Sequence, residues 1–391
     1  SLCGLDLEDS RFRYLCGVGM TVAGSVNLSG IHPFDDNDRA LCWCKLSLCT
    51  INGDLMADRV KTCAPDSTTS TQRKIEQFSE LNEFENYSDQ NWALNIYGSR
   101  IGGSVIIREQ SLLKGGLLMD NSRVAGDVSL HGVTVVSLQN RSIQNRFIAI
   151  GMDRARIDGS LTFAGGLKCH GVLWLYLCEV GGSLDIGETY LAGNKLAKAE
   201  LAAALYAKGL FVRGWFSMSR VTTDSSLLVE GARIGGNLIV EDVHVNPARL
   251  WLSNGGEWVA FSASGVCVEG AIRLKSNEFN GCLDLTGARC VTLQDERSGY
   301  GKPTTIIRID GFRYERIEGL AVSFKVEDRL DWWLPRDKDE DKDYRPQPYV
   351  QLAQVLANHG WDAHVREVLF HKAKQEAMRT WKDKLGDKIT G

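Results

Sequence analysis

Proline is scarce in this chain, seven residues in 391. That excludes a protein organised by proline-rich linkers. No run of eighteen apolar residues occurs, so no stretch of the sequence as it stands reads as a membrane-spanning helix. Neither sign of charge is in excess. The formal net charge of −4 gives no electrostatic footprint for a nucleic-acid partner. The eleven cysteines lack the even, clustered spacing of a disulfide framework. Scattered thiols in a large chain point to a reducing compartment, the cytosol or a site facing it. The chain opens Ser-Leu-Cys with neither methionine nor a signal-peptide pattern, so a natural start upstream is expected.

What the chain has is glycine, forty residues, and much of it stands in one phase. The pattern apolar-x-Gly-x-apolar-x-apolar occurs three times between Ala155 and Ile186, on Gly159, Gly171 and Gly182. It recurs on Gly103, Gly115 and Gly126, and later on Gly214, Gly236, Gly270 and Gly281. The spacing is eleven or twelve residues within the first two groups and from Gly270 to Gly281, and twice eleven from Gly214 to Gly236. Alternation with period two marks a strand with one buried face. A glycine inside it marks a close backbone approach or a bend. A strand unit this short buries its apolar face only by stacking on copies of itself. The expected fold is mostly β: a right-handed parallel β-helix with about 22 residues per coil, its hand following the crossover rule. These glycines are read as structural.

The β-helix is expected over 1–326, with an inserted loop and amphipathic helix at 64–91, where Ile75, Phe78, Leu81 and Phe84 recur every three residues. Leu196–Ala207 is alanine- and lysine-rich and reads as a short helix between coils. Residues 327–347 read as a capping segment and charged linker. The remainder, 348–391, reads as a helical hairpin. Pro348 suits a first helical turn, Gly360 a stop and Asp362 a new cap. Tyr349, Leu352, Val355 and Leu356 form one apolar face, and Val365, Val368 and Leu369 are expected to face back.

Candidate chemistry is sparse. Cys42, Cys44, Cys49 and Cys63 have the spacing C-x-C-x4-C-x13-C. It lacks the paired C-x2-C knuckles of a zinc site and reads as buried thiols. Gly299-Tyr-Gly-Lys302 lacks the upstream glycine of a phosphate loop, since position 296 is Glu. His359, His364 and His371 lie in the tail at spacings that read as packing rather than metal ligation. No catalytic residue, cofactor or metal is expected. Asp127, Asp158, Asp185, Glu269, Arg273 and Asp284 stand at outward strand positions and read as solvated faces, Asp185 and Asp284 being several coils apart. Trp43, Trp174 and Trp215 also stand outward, as a candidate interaction surface. Trp332 and Trp333 are expected to close the end of the tube.

The repeat at Ala155–Phe163 and Ala232–Val240, with the tail Gln347–Leu356, Gly360 and Arg366–Leu369, resembles membrane-associated bacterial β-helical proteins loosely related to pentapeptide-repeat proteins. The resemblance implies a non-catalytic scaffold or protein-interaction module, with a partner protein or self-association, cytoplasmic or at the inner face of the cytoplasmic membrane. Hydrophobic segments tend to follow the helical pair in that group, so a membrane contact is expected beyond the C-terminus. Two alternatives stand beside it: a glycan- or polymer-acting enzyme working in a groove on one sheet, and a sensor or effector module of bacterial defence.

Overall fold

Ile51, Ile101, Val124, Ile157, Val180, Val212 and Ile234 are register partners in successive coils, and each is at most 2% exposed. That single column is the expected ladder. It belongs to a parallel β-helix, seen in a computed structural model that describes residues 2–12, 14–33, 43–63, 92–108, 110–137, 147–193, 203–246, 251–252, 258–301, 305–318, 326, 329–330 and 345–390. Among the described strands every pairing is parallel except one hairpin, Trp251–Leu252 against Trp258 and Val259.

One coil shows the plan. Arg123–Val124 is the two-residue strand of a first ribbon, Val128–His131 belongs to a second, Thr134–Val136 to a third and Ile148–Gly151 to a fourth. Ribbons one to three form one continuous sheet, and ribbon four forms another. Every ribbon sends its own apolar column inward. On ribbon four Cys44, Leu94, Leu117, Ile150, Leu173, Leu205 and Leu227 follow one another. Cys169 fills an inward place on ribbon three between Val135 and Leu191 and is fully buried, as a small hydrophobe. Each buried Leu, Ile or Val contributes about 1.5–3 kcal/mol of transfer free energy, so the columns dominate the stability.

Coil length follows a rule that even spacing does not anticipate. Between Leu94 and Leu283, ribbon-four register partners lie alternately 22–23 and 32–34 residues apart. The extra residues always enter between ribbons three and four, at 138–146, 194–202 and 246–257. Residues 64–91 enter at the same corner, although the helix expected there lies outside the described residues. The helix expected over Leu196–Ala207 is corrected at its end: Ala203–Tyr206 is a ribbon-four strand, because pairing with Leu173 and Leu227 outweighs alanine's helix preference.

The glycines are of two kinds. Gly53, Gly103, Gly126, Gly159, Gly182, Gly214, Gly236 and Gly270 stack at the corner between ribbons one and two, none with positive φ. Each donates its N–H to the carbonyl of the corner glycine one coil back, beginning with Gly53 to Gly24 at 3.0 Å. Here glycine is required because a Cβ would strike the stacked backbone. Gly115, Gly171 and Gly281 instead have φ of 119°, 134° and 153°, and turn the chain directly from ribbon three to ribbon four in short coils.

The residue after each corner glycine relays hydrogen bonds along the tube. Ser25 Oγ accepts from Asp54 N–H, Asp54 Oδ1 from Ser104 N–H, Ser104 Oγ from Asp127 N–H and Asp127 Oδ1 from Ser160 N–H, at 2.6–3.1 Å. Ser160 and Ser183 continue it to Trp215 N–H.

The C-terminal end is capped. Helix α1 (Gln347–Asn358) lays Tyr349, Leu352, Val355 and Leu356 against the tube, and Gly360 (φ 75°) turns the chain into α2 (Asp362–Thr390). Gln347 accepts from Gly311 N–H at 2.9 Å and donates to Phe312 O at 3.1 Å, while Gln351 donates to Tyr314 O at 2.6 Å. Glutamine amides thus satisfy a backbone edge that would otherwise be open. Val368 is fully buried, but Leu369 is 43% exposed, correcting the expected inward face. No described helix is long and apolar enough to cross a membrane.

Candidate interaction surface

The structure places the predicted tryptophans apart. Trp43 lies outward on ribbon four and stacks on Tyr14 at 5.7 Å. Trp174 lies four coils further along, about 19 Å at the parallel-strand spacing. Its indole stacks on Tyr206 of the next coil at 4.0 Å and 3°, with Tyr176 tilted beside both. Lys208 Nζ sits 5.4 Å from the Tyr206 ring centroid and pairs with Glu230 at 2.6 Å. Trp215 is not in a strand. It occupies the corner between ribbons one and two in the coil of Tyr206, 55% exposed. Trp332 and Trp333 lie outside the described residues.

An arginine column escaped the sequence reading. On ribbon one the outward partners in register are Arg100, Arg123, Arg156, Glu179, Phe211, Arg233, Cys267, Arg289 and Arg313. The local signal is an arginine directly before an inward Ile or Val, as at Arg100-Ile101, Arg123-Val124, Arg156-Ile157 and Arg233-Ile234. Asp158 bridges Arg123 and Arg156 at 3.0 and 3.1 Å, and these two hydrogen bonds hold its carboxyl below the usual range. Arg289 Nε donates to Cys267 Sγ at 3.0 Å. Among the described residues Arg100, Arg213, Arg233 and Arg313 have no ion pair.

The surface from ribbon four through ribbon one to ribbon two is built to one length. The left-handed turn residue after ribbon four and the first inward residue of ribbon two are seven apart in eight coils, from Leu48 and Leu55 to Gly265 and Ile272. The long insertions are confined to the opposite corner, between ribbons three and four.

The outward acids do not converge. Asp185 is on ribbon two with Ser217 beside it, Asp284 is on ribbon four, and Arg273 on ribbon two donates to Gln294 at 2.8 Å. Among the described residues no cluster of His, Cys, Asp and Glu could hold a metal ion. Cys44 and Cys49 are buried, whereas Cys42 and the Cys63 side chain lie outside the described residues. Burial pushes the Cys169, Cys178 and Cys290 thiols up to about 12. With a disulfide-type thiol reagent the native protein is expected to leave Cys44, Cys49, Cys169, Cys178, Cys282 and Cys290 unmodified, while Cys3 and Cys16 react at once. Mass spectrometry of the labelled protein checks this.

One half-buried acid gives the fold a pH dependence. Asp120 stands at the turn after ribbon four, and burial pushes its carboxyl up to about 7 against the opposing hydrogen bond from Asp153 N–H at 2.7 Å. Its folded value exceeds the unfolded one, so the associated stability is complete below about pH 4 and is lost as pH rises through 7. Asp120→Asn keeps an acceptor and carries no charge. It is expected to raise the melting temperature by about 2–4 °C at pH 8 and to leave it unchanged at pH 4.

Comparison with protein-family models, curated proteins and solved structures returns no match.

Proposed function

We propose that the protein is a non-catalytic β-helical scaffold that binds protein partners on its side, facing the cytosol and close to a membrane in the complete protein. The observation that carries the reading is the surface of constant coil length, with Trp174, Tyr206, Phe211 and Trp215 gathered on two neighbouring coils. Partly and fully exposed aromatics on a rigid surface supply contact area at little entropic cost. A polymer-acting enzyme would need acids and bases within hydrogen-bond reach of one another, and Asp185 and Asp284 stand on different faces. A photo-crosslinking residue at position 174 is expected to give discrete protein adducts in cells, whereas one at Ile239, outward on ribbon two, gives none. Equal labelling at both positions would remove the reading.

Membrane proximity rests on α2. Phe370 and Trp381 are 65% and 63% exposed. Lys372, Lys374, Arg379, Lys382, Lys384 and Lys388 lie along the same helix. Basic residues beside an anionic membrane contribute about 1 kcal/mol each. The complete gene product is expected in the membrane fraction at low salt; recovery in the soluble fraction would leave the hairpin as a cap alone.

A further inference from the structure

Phe211, Arg213 and Trp215 alternate with the inward Val212 and Phe216, so all three point away from the core. Together they make a ridge across the tube axis, with Phe211 40% and Trp215 55% exposed and Arg213 exposed without an ion pair among the described residues. Both aromatics break a column. Phe211 stands in the arginine column next to Arg233. Trp215 stands in the polar corner column, where indole has no acceptor to pass the relay on; it resumes only with Asn237, which accepts from Ala271 N–H at 2.8 Å. The coil therefore forgoes a structural hydrogen bond to present an indole to solvent. On either side of Arg213 the neighbouring coils carry Gly181 and Gly235, so its guanidinium stands over open backbone.

We infer that this strip is a docking track for an extended acidic polypeptide segment of a protein partner, lying along the tube axis and anchored at Phe211, Arg213 and Trp215. The inference rests on the protein-binding reading above and names the partner's chemistry. Stacked like charges about 4.8 Å apart repel, so Arg100, Arg123 and Arg156 in adjacent coils are costly unless anions lie over them. Asp158 bridges the last two and Arg156 also reaches Glu179 at 3.8 Å, whereas Arg100 has no ion pair among the described residues. The charge pattern also selects among anions. Glu179 within the column, and Asp158 and Glu269 beside it, would repel a dense polyanion such as nucleic acid or a sulfated glycan. A polypeptide can leave those positions uncharged, place carboxylates over Arg213 and Arg233, and lay apolar side chains on Phe211 and Trp215. From Arg100 to Arg313 the column runs eight coil steps, about 38 Å, which an extended chain of about twelve residues spans.

The test is selection from a phage-displayed library of random dodecapeptides on the whole protein, followed by anisotropy titration of the synthesised winners. Expected winners carry Asp or Glu next to apolar residues. Arg213→Ala and Trp215→Ala, both at the surface and checked for unchanged melting, should each weaken them at least about tenfold, and raising the salt should weaken them further. Neutral or basic winners would overturn the inference, as would equal binding by both variants, the absence of any enriched peptide, or tighter binding of a heparin oligosaccharide than of any winner. Winners that lose binding in Trp174→Ala but keep it in Trp215→Ala would sink this track while leaving the scaffold reading intact.

Discussion

Gly159→Val is expected to leave no soluble folded protein. A Cβ at this position would lie 2.6 Å from the Gly126 carbonyl oxygen and 2.7 Å from its carbon. Backbone cannot retreat as a flexible side chain would, because Gly159 N–H donates to Gly126 at 3.1 Å and its own carbonyl accepts from Gly182 at 2.7 Å. Relieving the clash breaks the ladder in both directions, and valine adds two methyl groups to it. The cost belongs with the largest single-residue effects, above about 4 kcal/mol. Gly182→Val should behave alike, since its Cβ would meet Gly159 carbon at 2.9 Å. The control is Gly265→Ala, which has no heavy atom within 4 Å and differs only by its φ of +66°. It should lose about 1–2 kcal/mol and still fold. Soluble yield and thermal melting by circular dichroism read all three. Wild-type melting of both valine variants would show that neighbouring coils can part.

Arg329→Met is the second large effect, expected to lower unfolding free energy by about 3–5 kcal/mol. The Asp295 side chain is wholly buried and that of Arg329 nearly so. The guanidinium donates to both carboxylate oxygens at 2.8 and 2.6 Å, and Tyr300 Oη donates to Oδ2 at 2.6 Å. Removing the arginine leaves a carboxylate in the core with a single hydroxyl donor from this set. Adding Asp295→Asn to the methionine variant should recover part of the loss, because the stranded charge is gone. Urea denaturation measures both, and additive losses in the double variant would show that the pair is not coupled.

Much of the fold is legible in the sequence because inward and outward alternate along every strand, as Leu161 and Phe163 do. The candidate surface is legible only in fragments. Alternation tells which way Arg156 points but not which residue lies over it. That depends on coil length, and a long coil separates Arg123 from Arg156 by ten residues more than a short one separates Arg100 from Arg123. Trp215 reads as a strand residue because Val212, Phe216 and Met218 keep the phase through a corner. The two kinds of glycine look alike in sequence because both sit between apolar residues; only φ and the stacked neighbour separate Gly171 from Gly182. Leu369 fits a hairpin face by spacing, yet α1 has twelve residues and α2 has 29, so the longer helix runs past its support.

The alternation of short and long coils sets the increment by which such a tube can grow. Gly103, Gly159, Gly214 and Gly270 recur every 55 or 56 residues, two turns at a time, so the repeating block is a doublet. Adjacent turns are about 4.8 Å apart, the width of one extended backbone, whereas a hairpin or helix needs about twice that. A doublet gives each excursion its own berth on the meridian where all of them emerge. Deleting one doublet should close the tube around the cut with every berth preserved. Deleting a single short turn would force two excursions into the space of one.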